Sequence, residues 1–377
     1  MTEIYEYSQH RILNLVFNIF ILLILLMSYS GMAYPVYPMI IGALILFSNK
    51  LRYKEFDIFA VLLILIFSCL KLFEGTIPSS LLTLKYFFGF IIFYLLFRHN
   101  SNYIIINFNY LLIAISIVLI IEAVLINTIL PAIYWPHFPK GPENELSHIG
   151  KVFGIYQRPY GIGTNASVTT TIIVCLLLIR DKVQISDCKI SRFASFISII
   201  AVFISLSGTG FFLLFTYFVL KKLKFTRIAM ILFFCLFLII YLVFQEGEIL
   251  YELIYKISPV YIEYVIQLKF EQIFEAYSLN SNLWELLLGK KWIISDPVPL
   301  GGDFGLLNFI VYGGLITLLT YILIIFKRIN RYNFLVIIIL IVGAVHYAAI
   351  FSTPGQLIFS FCLSLDENKI KMYQNIH

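Results

Sequence analysis

The chain has 377 residues, of which 60% are hydrophobic and 13% are charged, whereas an ordinary soluble domain carries roughly 25% charged residues. A chain this apolar cannot cover its surface with polar groups, which excludes a soluble enzyme, a disordered regulator and a nucleic-acid-binding module. The formal net charge of +6 reflects 27 Lys and Arg against 21 Asp and Glu. Because these cations gather in short segments between apolar stretches, they indicate membrane topology rather than a nucleic-acid partner.

Twelve apolar stretches are candidates to cross a bilayer, whose core needs about 20 residues per helical span. A helix satisfies its own backbone polar groups in lipid. The sequence therefore predicts an all-α polytopic membrane protein with about twelve transmembrane helices. We place them near residues 12–29, 33–48, 56–73, 81–97, 103–127, 164–179, 193–207, 209–221, 228–244, 304–326, 334–350 and 354–365.

The orientation of these spans follows from the Lys and Arg residues of the short loops. Most of these cations fall on the cytoplasmic side when the N-terminus is placed there, as the positive-inside rule requires. The same assignment leaves both termini cytoplasmic. It also puts two long loops, 128–163 and 245–303, on the periplasmic side of a single integral membrane domain, residues 1–377.

The seventh and eighth spans are short, and together they could form one long helix. A single helix would separate the basic segments 180–192 and 221–227 across the membrane. We therefore predict a hairpin that turns at residues 207–210, because it keeps both basic segments in the cytoplasm.

The two long loops are the places where this chain concentrates its polar chemistry, and long loops in a compact fold are usually functional. The second loop is predicted to contain amphipathic helices between residues 246 and 277, which either lie flat on the membrane or cover an opening. The tryptophans of the loops form an interfacial aromatic belt or stack on sugar rings. All three tryptophans of the chain lie there: Trp135, Trp284 and Trp292.

The first long loop leads into the sixth span through the segment Arg158-Pro159-Tyr160-Gly161-Ile162-Gly163-Thr164-Asn165. Its glycines permit a tight turn or a close approach to a ligand, and a helix start offers free N–H groups and a positive dipole end. The Arg158 guanidinium fits phosphate oxygens. The segment predicts an anion site, or alternatively a snorkelling Arg beside a helix cap made by Thr164 or Asn165.

The second long loop ends with further candidates before the tenth span. Lys290 and Lys291 either contact a diphosphate or are solvated charges, and Asp303 either positions an acceptor hydroxyl or caps the tenth span. Inside the spans, Lys85 and Glu122 lie at comparable depth, so a pair between them would neutralise both. No nucleotide-binding motif or metal-ligand spacing is present, and we expect no cofactor and no metal.

These residues resemble the O-antigen polymerases (Wzy type), within the wider group that includes the O-antigen ligases. Arg158, Gly161 and Asn165 resemble the Arg-x-x-Gly…Asn element before a central span, and residues 205–210 resemble the Ser-rich hairpin, without its frequent Arg. The likeness covers roughly residues 150–330. The group also tends to carry a glycine-rich patch ahead of a late span, and a set of residues in this chain resembles it: Gly289, Asp303, Asn308, Gly313 and Gly314.

The resemblance implies a glycosyltransferase of the bacterial inner membrane whose active site faces the periplasm. The donor is a glycan on undecaprenyl diphosphate, and a sugar hydroxyl of the next lipid-linked repeat unit attacks its anomeric carbon with inversion. The implied partners are this lipid-linked oligosaccharide, membrane lipid and a chain-length regulator protein.

The resemblance also assigns roles to individual residues. Arg158, aided by Lys290 or Lys291, would hold the leaving diphosphate. Asp303 ranks first as acceptor of the hydroxyl proton, ahead of His137, His148, Glu143 and Glu145. The remaining substrate-binding candidates are Tyr160, Gly161, Asn165, Trp135 and Trp292.

Two rival functions stay open at this point. An O-antigen ligase would move finished glycan to the lipid A core, and the sequence separates it poorly from a polymerase. A flippase or other transporter would be expected to show internal repeats and charges near the midplane of the membrane.

Overall fold

The computed structural model describes part of the chain, and the following statements concern those residues. They are 2–29, 77–99, 105–129, 151–152, 156–163, 165–183, 189–220, 283–290, 305–346 and 349–376, with residues 260, 263, 264, 267 and 271. The predicted spans at 33–48, 56–73 and 228–244 lie outside the described residues.

Up to residue 220, the chain forms six described helices. They are α1 (Thr2–Tyr29), α2 (Ile77–His99), α3 (Phe108–Val124), α4 (Ala166–Val183), α5 (Lys189–Ile204) and α6 (Gly208–Leu220). A π-helical turn, Leu125–Ile129, continues α3, and a 3-10 turn, Gly161–Gly163, precedes α4. Between them, β1 (Lys151–Val152) and β2 (Tyr156–Gln157) pair in antiparallel fashion.

From residue 283 onward, the chain contributes five described helices and a 3-10 turn at Ala349–Phe351. The helices are α7 (Leu283–Leu288), α8 (Gly305–Arg328), α9 (Phe334–His346), α10 (Thr353–Ser364) and α11 (Glu367–Ile376). Residues 260, 263, 264, 267 and 271 are also helical. Over the described ranges, the prediction that the chain is mainly helical is confirmed. The structure also contains the short antiparallel pair of β1 and β2, which the sequence did not predict.

Two helices are long and apolar enough to cross a membrane, Phe108–Thr128 and Val311–Arg328. Three shorter apolar helices are Ile12–Leu26, Gly208–Val219 and Phe334–Ala344. All five overlap predicted spans.

Helix α4 lies at the centre of the described part of the bundle. Its residues from Ala166 to Arg180 are all buried, and it packs against α3, α5, α6, α9 and α10. Glycines on two neighbours allow this close packing, as small residues do between membrane helices. A Cβ added at Gly210 would lie 2.7 Å from Thr170 Oγ1, and one at Gly343 would lie 2.8 Å from Thr171 Cγ2.

The predicted hairpin of α5 and α6 is confirmed by contacts at the C-terminal end of α4. There Arg180 Nη1 donates to the Ser191 carbonyl oxygen at 3.0 Å, and the Tyr217 hydroxyl donates to Asp181 Oδ2 at 2.8 Å. The turn between α5 and α6 lies at residues 205–207, slightly earlier than predicted. Ser191 lies near the start of α5 and Tyr217 lies near the end of α6. Because both contact the same end of α4, α5 and α6 run antiparallel to each other.

Arg180 differs from the sequence-based expectation of a cation in a cytoplasmic loop. It belongs to the last turn of α4, and its side chain is 1% exposed. Its guanidinium is accommodated there because Asp181 accepts from it at 2.6 Å and the Ser191 carbonyl accepts a further N–H. A buried, paired Arg fixes helices together rather than acting as a solvated topology signal.

Helices α2 and α10 also pack closely against each other. The Gln356 amide donates to the carbonyl oxygens of Lys85 and Tyr86, both at 2.8 Å, and the Ser360 hydroxyl donates to that of Phe90. Aromatic rings fill the space between α2, α8 and α10. They belong to Phe87, Phe90, Tyr321, Phe351 and Phe359.

Candidate functional site

Polar side chains from three segments meet at the Ala166 end of α4. The segments are the end of α3, the stretch from β2 to the 3-10 turn, and the turn between α5 and α6. We call the set formed by Glu122, residues 156–163, Asn165, Ser167 and Ser207 the α4-start cluster. It contains Arg158, Tyr160, Gly161 and Asn165 from the sequence-based prediction, together with residues that the prediction did not include.

The centre of the cluster is the Glu122 carboxylate, which is 1% exposed. Its Oε1 accepts the Tyr160 backbone N–H at 2.9 Å, and its Oε2 accepts the Gly161 backbone N–H at 2.8 Å. Consecutive N–H groups that converge on one carboxylate form a small anion-binding concavity. The sequence predicted a ligand anion near this turn, whereas in the structure a carboxylate of the chain itself accepts the Tyr160 and Gly161 N–H groups.

The turn that follows Arg158 is also held by Thr169 of α4. The Thr169 hydroxyl donates to the Tyr160 carbonyl oxygen at 2.6 Å and accepts the Gly163 N–H at 2.9 Å. Gly161 has a φ of 64°, a left-handed conformation that favours glycine. A Cβ at Gly161 would lie 2.6 Å from Thr169 Cγ2 and 2.8 Å from Leu119 Cδ1. The turn therefore requires glycine for both its conformation and its packing.

Asn165 makes the cap that the sequence assigned to Thr164 or Asn165. Its Oδ1 accepts the Ser167 N–H at 2.8 Å, and its carbonyl oxygen accepts the Thr169 N–H at 2.9 Å. A side-chain oxygen in this position satisfies an N–H group that a helix start leaves without an intrahelical partner. The local role of Asn165 is therefore to begin α4 immediately after the turn.

The Ser-rich hairpin reaches the same place. The Ser167 and Ser207 hydroxyl oxygens are 3.0 Å apart, and Ser207 Oγ also accepts the Gly210 N–H at 3.2 Å. Both serines are buried. The two stretches that carry the resemblance, around Arg158 and around Ser207, are thus in direct contact although the sequence separates them.

Tyr156 provides a second link between these stretches. Its hydroxyl donates to the Ile204 carbonyl oxygen at 2.8 Å, at the last residue of α5. Burial, with a further contribution from the negative charge of Glu122, raises the pKa of Tyr156 well above its ordinary value. The phenol therefore stays a neutral donor at physiological pH.

Arg158 lies between these two attachments. Two residues before it, Tyr156 is bonded to the hairpin, and two residues after it, Tyr160 is bonded to Glu122. Arg158 itself is partly exposed. The cluster thus fixes the backbone on both sides of a partly exposed Arg, whose forked guanidinium is suited to phosphate oxygens.

Lys290 is placed at a break in α8. Gly314 has φ 70° and ψ 177°, which interrupts the helix, and the Lys290 N–H donates to the Val311 carbonyl oxygen at 2.6 Å beside that break. A Cβ at Gly289 would lie 2.2 Å from the Tyr312 carbonyl oxygen. The predicted glycine patch therefore acts as a docking point for the end of the second long loop.

Several predicted site residues lie outside the described residues. They are Trp135, His137, His148, Lys291, Trp292 and Asp303. Trp284 is described and is 63% exposed on α7. Within the described ranges, no three His, Cys, Asp or Glu side chains come together as metal ligands would.

The described geometry holds the chain on both sides of Arg158, but on its own it identifies no reaction. Glu122 and Tyr156 were absent from the predicted site; the available signal was a carboxylate inside an apolar span. In comparisons with protein-family models, curated proteins and solved structures, the chain matches none.

Proposed function

We propose that this protein is an O-antigen polymerase of the bacterial inner membrane. It joins undecaprenyl-diphosphate-linked oligosaccharide repeat units into a polysaccharide at the periplasmic face. The observation on which this proposal chiefly depends is the contact between the Ser-rich hairpin and the first turn of α4, which directly follows the Arg158 element, through the Ser167 and Ser207 hydroxyls. These are the two stretches of the described chain that most resemble the polymerase group.

The proposed topology has about twelve spans, cytoplasmic termini and two long periplasmic loops. Helix directions support it: the residue pairs along α2 and α10 follow in the same order on both helices, so these helices run parallel. Spans four and twelve must do so in the proposed topology. The hydrogen-bonded pairs are Gln356 with Lys85 and Ser360 with Phe90, and Lys369 of α11 continues the order with Phe97.

The α4-start cluster lies at the periplasmic ends of the helices in this topology. α4 corresponds to the sixth span, which begins outside, and its last turn, with the exposed Lys182, then reaches the cytoplasmic side. Arg158 would meet the diphosphate of a lipid carrier whose sugar faces the periplasm.

The proposed reaction is a single displacement at the donor's anomeric carbon. A bond forms between this carbon and the acceptor hydroxyl oxygen, the bond to the diphosphate oxygen breaks, and its electron pair leaves with undecaprenyl diphosphate. The hydroxyl proton passes to a carboxylate, for which Asp303 is the first candidate. Arg158, aided by Lys290 or Lys291, would stabilise the charge that develops on the leaving diphosphate.

Deletion of the protein from cells that make the polysaccharide tests this proposal against its rivals. A polymerase defect should leave single repeat units on the lipid A core. Long glycan retained on undecaprenyl diphosphate would instead indicate a ligase, and repeat units retained on the cytoplasmic face would indicate a flippase. Re-expression of the wild-type protein is the control, and restoration of long chains is expected.

A further inference from the structure

We infer that Glu122 is a positioning residue for Arg158: its buried carboxylate fixes the turn from which Arg158 reaches the diphosphate. This inference rests on the proposed function for the role of Arg158, and on the geometry alone for the hold on the turn. Glu122 belongs to α3, and Tyr160 follows it by 38 residues in the sequence. The contact therefore anchors the segment around Tyr160 to α3.

The geometry at Glu122 uses both carboxylate oxygens. Each oxygen accepts one backbone N–H, from Tyr160 at 2.9 Å and from Gly161 at 2.8 Å. Hydrogen bonds to an ionised acceptor are stronger than those between neutral groups. Because Glu122 is 1% exposed, water has little access to replace the carboxylate.

A glutamine cannot reproduce this arrangement, although it has nearly the same shape. Its carbonyl oxygen would accept one N–H, but its NH₂ group would face the other N–H, donor against donor. An aspartate keeps two acceptor oxygens on a side chain shorter by one methylene. Glu122→Gln thus tests the need for two acceptor oxygens, and Glu122→Asp tests the need for the full length of the side chain.

The position of Glu122 within a predicted span also favours a role for the carboxylate. An ionisable group at such a place is costly, and an apolar residue would pack without that cost. The bonds to the two N–H groups that follow Arg158 offset part of this cost. Misplacement of a catalytic group by about 1 Å lowers rates by about 100-fold, which makes accurate placement of Arg158 the expected benefit.

The first test is a double-mutant cycle on polymerisation by the full-length protein reconstituted in liposomes. Glu122→Gln should lower kcat by about 10- to 100-fold with a smaller change in KM, and Glu122→Asp should restore part of the loss. Combined with Arg158→Lys, Glu122→Gln should cause little additional loss, because residues that act as one unit are non-additive.

The matched control is Asp181→Asn, which alters another largely buried carboxylate at the opposite end of α4. In the double variant with Arg158→Lys, the fold loss of activity should equal the product of the two single losses, as expected for a change that does not act through Arg158. If Glu122→Gln also multiplies with Arg158→Lys, or leaves kcat unchanged, Glu122 does not act through Arg158.

The second test does not depend on catalysis. Amide hydrogen exchange of the peptide that contains Tyr160 and Gly161 should be faster in Glu122→Gln than in wild type, and intermediate in Glu122→Asp. Unchanged exchange overturns the inference whatever the activity. If the wild type forms no polymer while exchange rises as expected, the proposed function fails and the hold of Glu122 on the turn is retained.

Discussion

Ser167 and Ser207 join their hydroxyls at 3.0 Å, which brings the first turn of α4 against the turn between α5 and α6. Ser207 also accepts the Gly210 N–H, so one side chain closes the hairpin and contacts the helix that follows Arg158. Tyr156 repeats the connection from the other side of Arg158 through the Ile204 carbonyl. The hairpin is therefore part of the support of the α4-start cluster.

Gly161 should be among the least replaceable residues of this cluster. Gly161→Ala places a Cβ 2.6 Å from Thr169 Cγ2 in a left-handed backbone conformation, whose strain alone costs about 1–3 kcal/mol. We expect a lower unfolding temperature in detergent and loss of polymer. Gly208→Ala is the control, because its Cβ would meet nothing within 4 Å. Equal unfolding temperatures for the two variants would contradict the described turn.

The break in α8 gives a second comparison between adjacent glycines. Gly314→Ala should release the end of α7, because its Cβ would lie 2.4 Å from both the Gly289 nitrogen and the Leu287 carbonyl oxygen. Gly313→Ala brings its Cβ only to 3.2 Å from the Thr317 side chain, which can adjust. Proteolysis within residues 283–290 should accelerate in Gly314→Ala much more than in Gly313→Ala. Similar rates in both would argue against docking at the break.

The C-terminal helix α11 should respond to pH through Lys369. Burial lowers the pKa of Lys369 to about 7 from 10.5, with Arg98 adding to the effect and Asp366 opposing it. Between these values the unfolded chain binds a proton that the folded protein lacks, so stability should rise with pH across that interval.

The measurement is the unfolding temperature of the detergent-solubilised protein between pH 6.5 and 9. Wild type should show the rise, and Lys369→Met should show a flatter dependence over the same interval. Lys371→Met is the control, since Lys371 is 66% exposed. A wild-type curve as flat as that of Lys369→Met would show that Lys369 does not titrate in this way.

Topology is testable with single cysteines in a background that lacks the five native ones. Trp284→Cys, at an exposed position of α7, should react with a membrane-impermeant thiol reagent added to intact cells. Lys182→Cys, at an exposed position in the last turn of α4, should react only after the cells are opened. The reverse pattern would invert the proposed topology and remove the α4-start cluster from the periplasm.

Features set by local sequence could be predicted, whereas contacts between residues far apart in the sequence could not. Apolar length predicted the helices, and basic segments predicted the hairpin of α5 and α6, because both signals are local. Asn165 was predicted as a candidate cap from the same local pattern. The bonds of Glu122 to Tyr160 and Gly161 join residues 38 and 39 positions apart, and neither spacing nor composition encodes that proximity.

The break of α8 likewise depends on a contact with a residue that is distant in its local sequence context. The sequence shows the pair Gly313 and Gly314, but a glycine pair within an apolar span is compatible with a continuous helix. The break becomes understandable only when the Lys290 N–H is seen to bond the Val311 carbonyl oxygen. That partner comes from a different loop, so the local sequence could not reveal it.

The most direct test of the proposed function uses the purified protein in liposomes with a synthetic undecaprenyl-diphosphate-linked repeat unit and no other enzyme. Wild type should produce a ladder of longer glycans and release undecaprenyl diphosphate. Arg158→Lys should lower this activity by about 100-fold, because Lys lacks the forked donor of Arg, while Arg192→Lys, at an exposed residue of α5, should retain it. No chain growth by the wild type, or a full ladder from Arg158→Lys, would contradict the account.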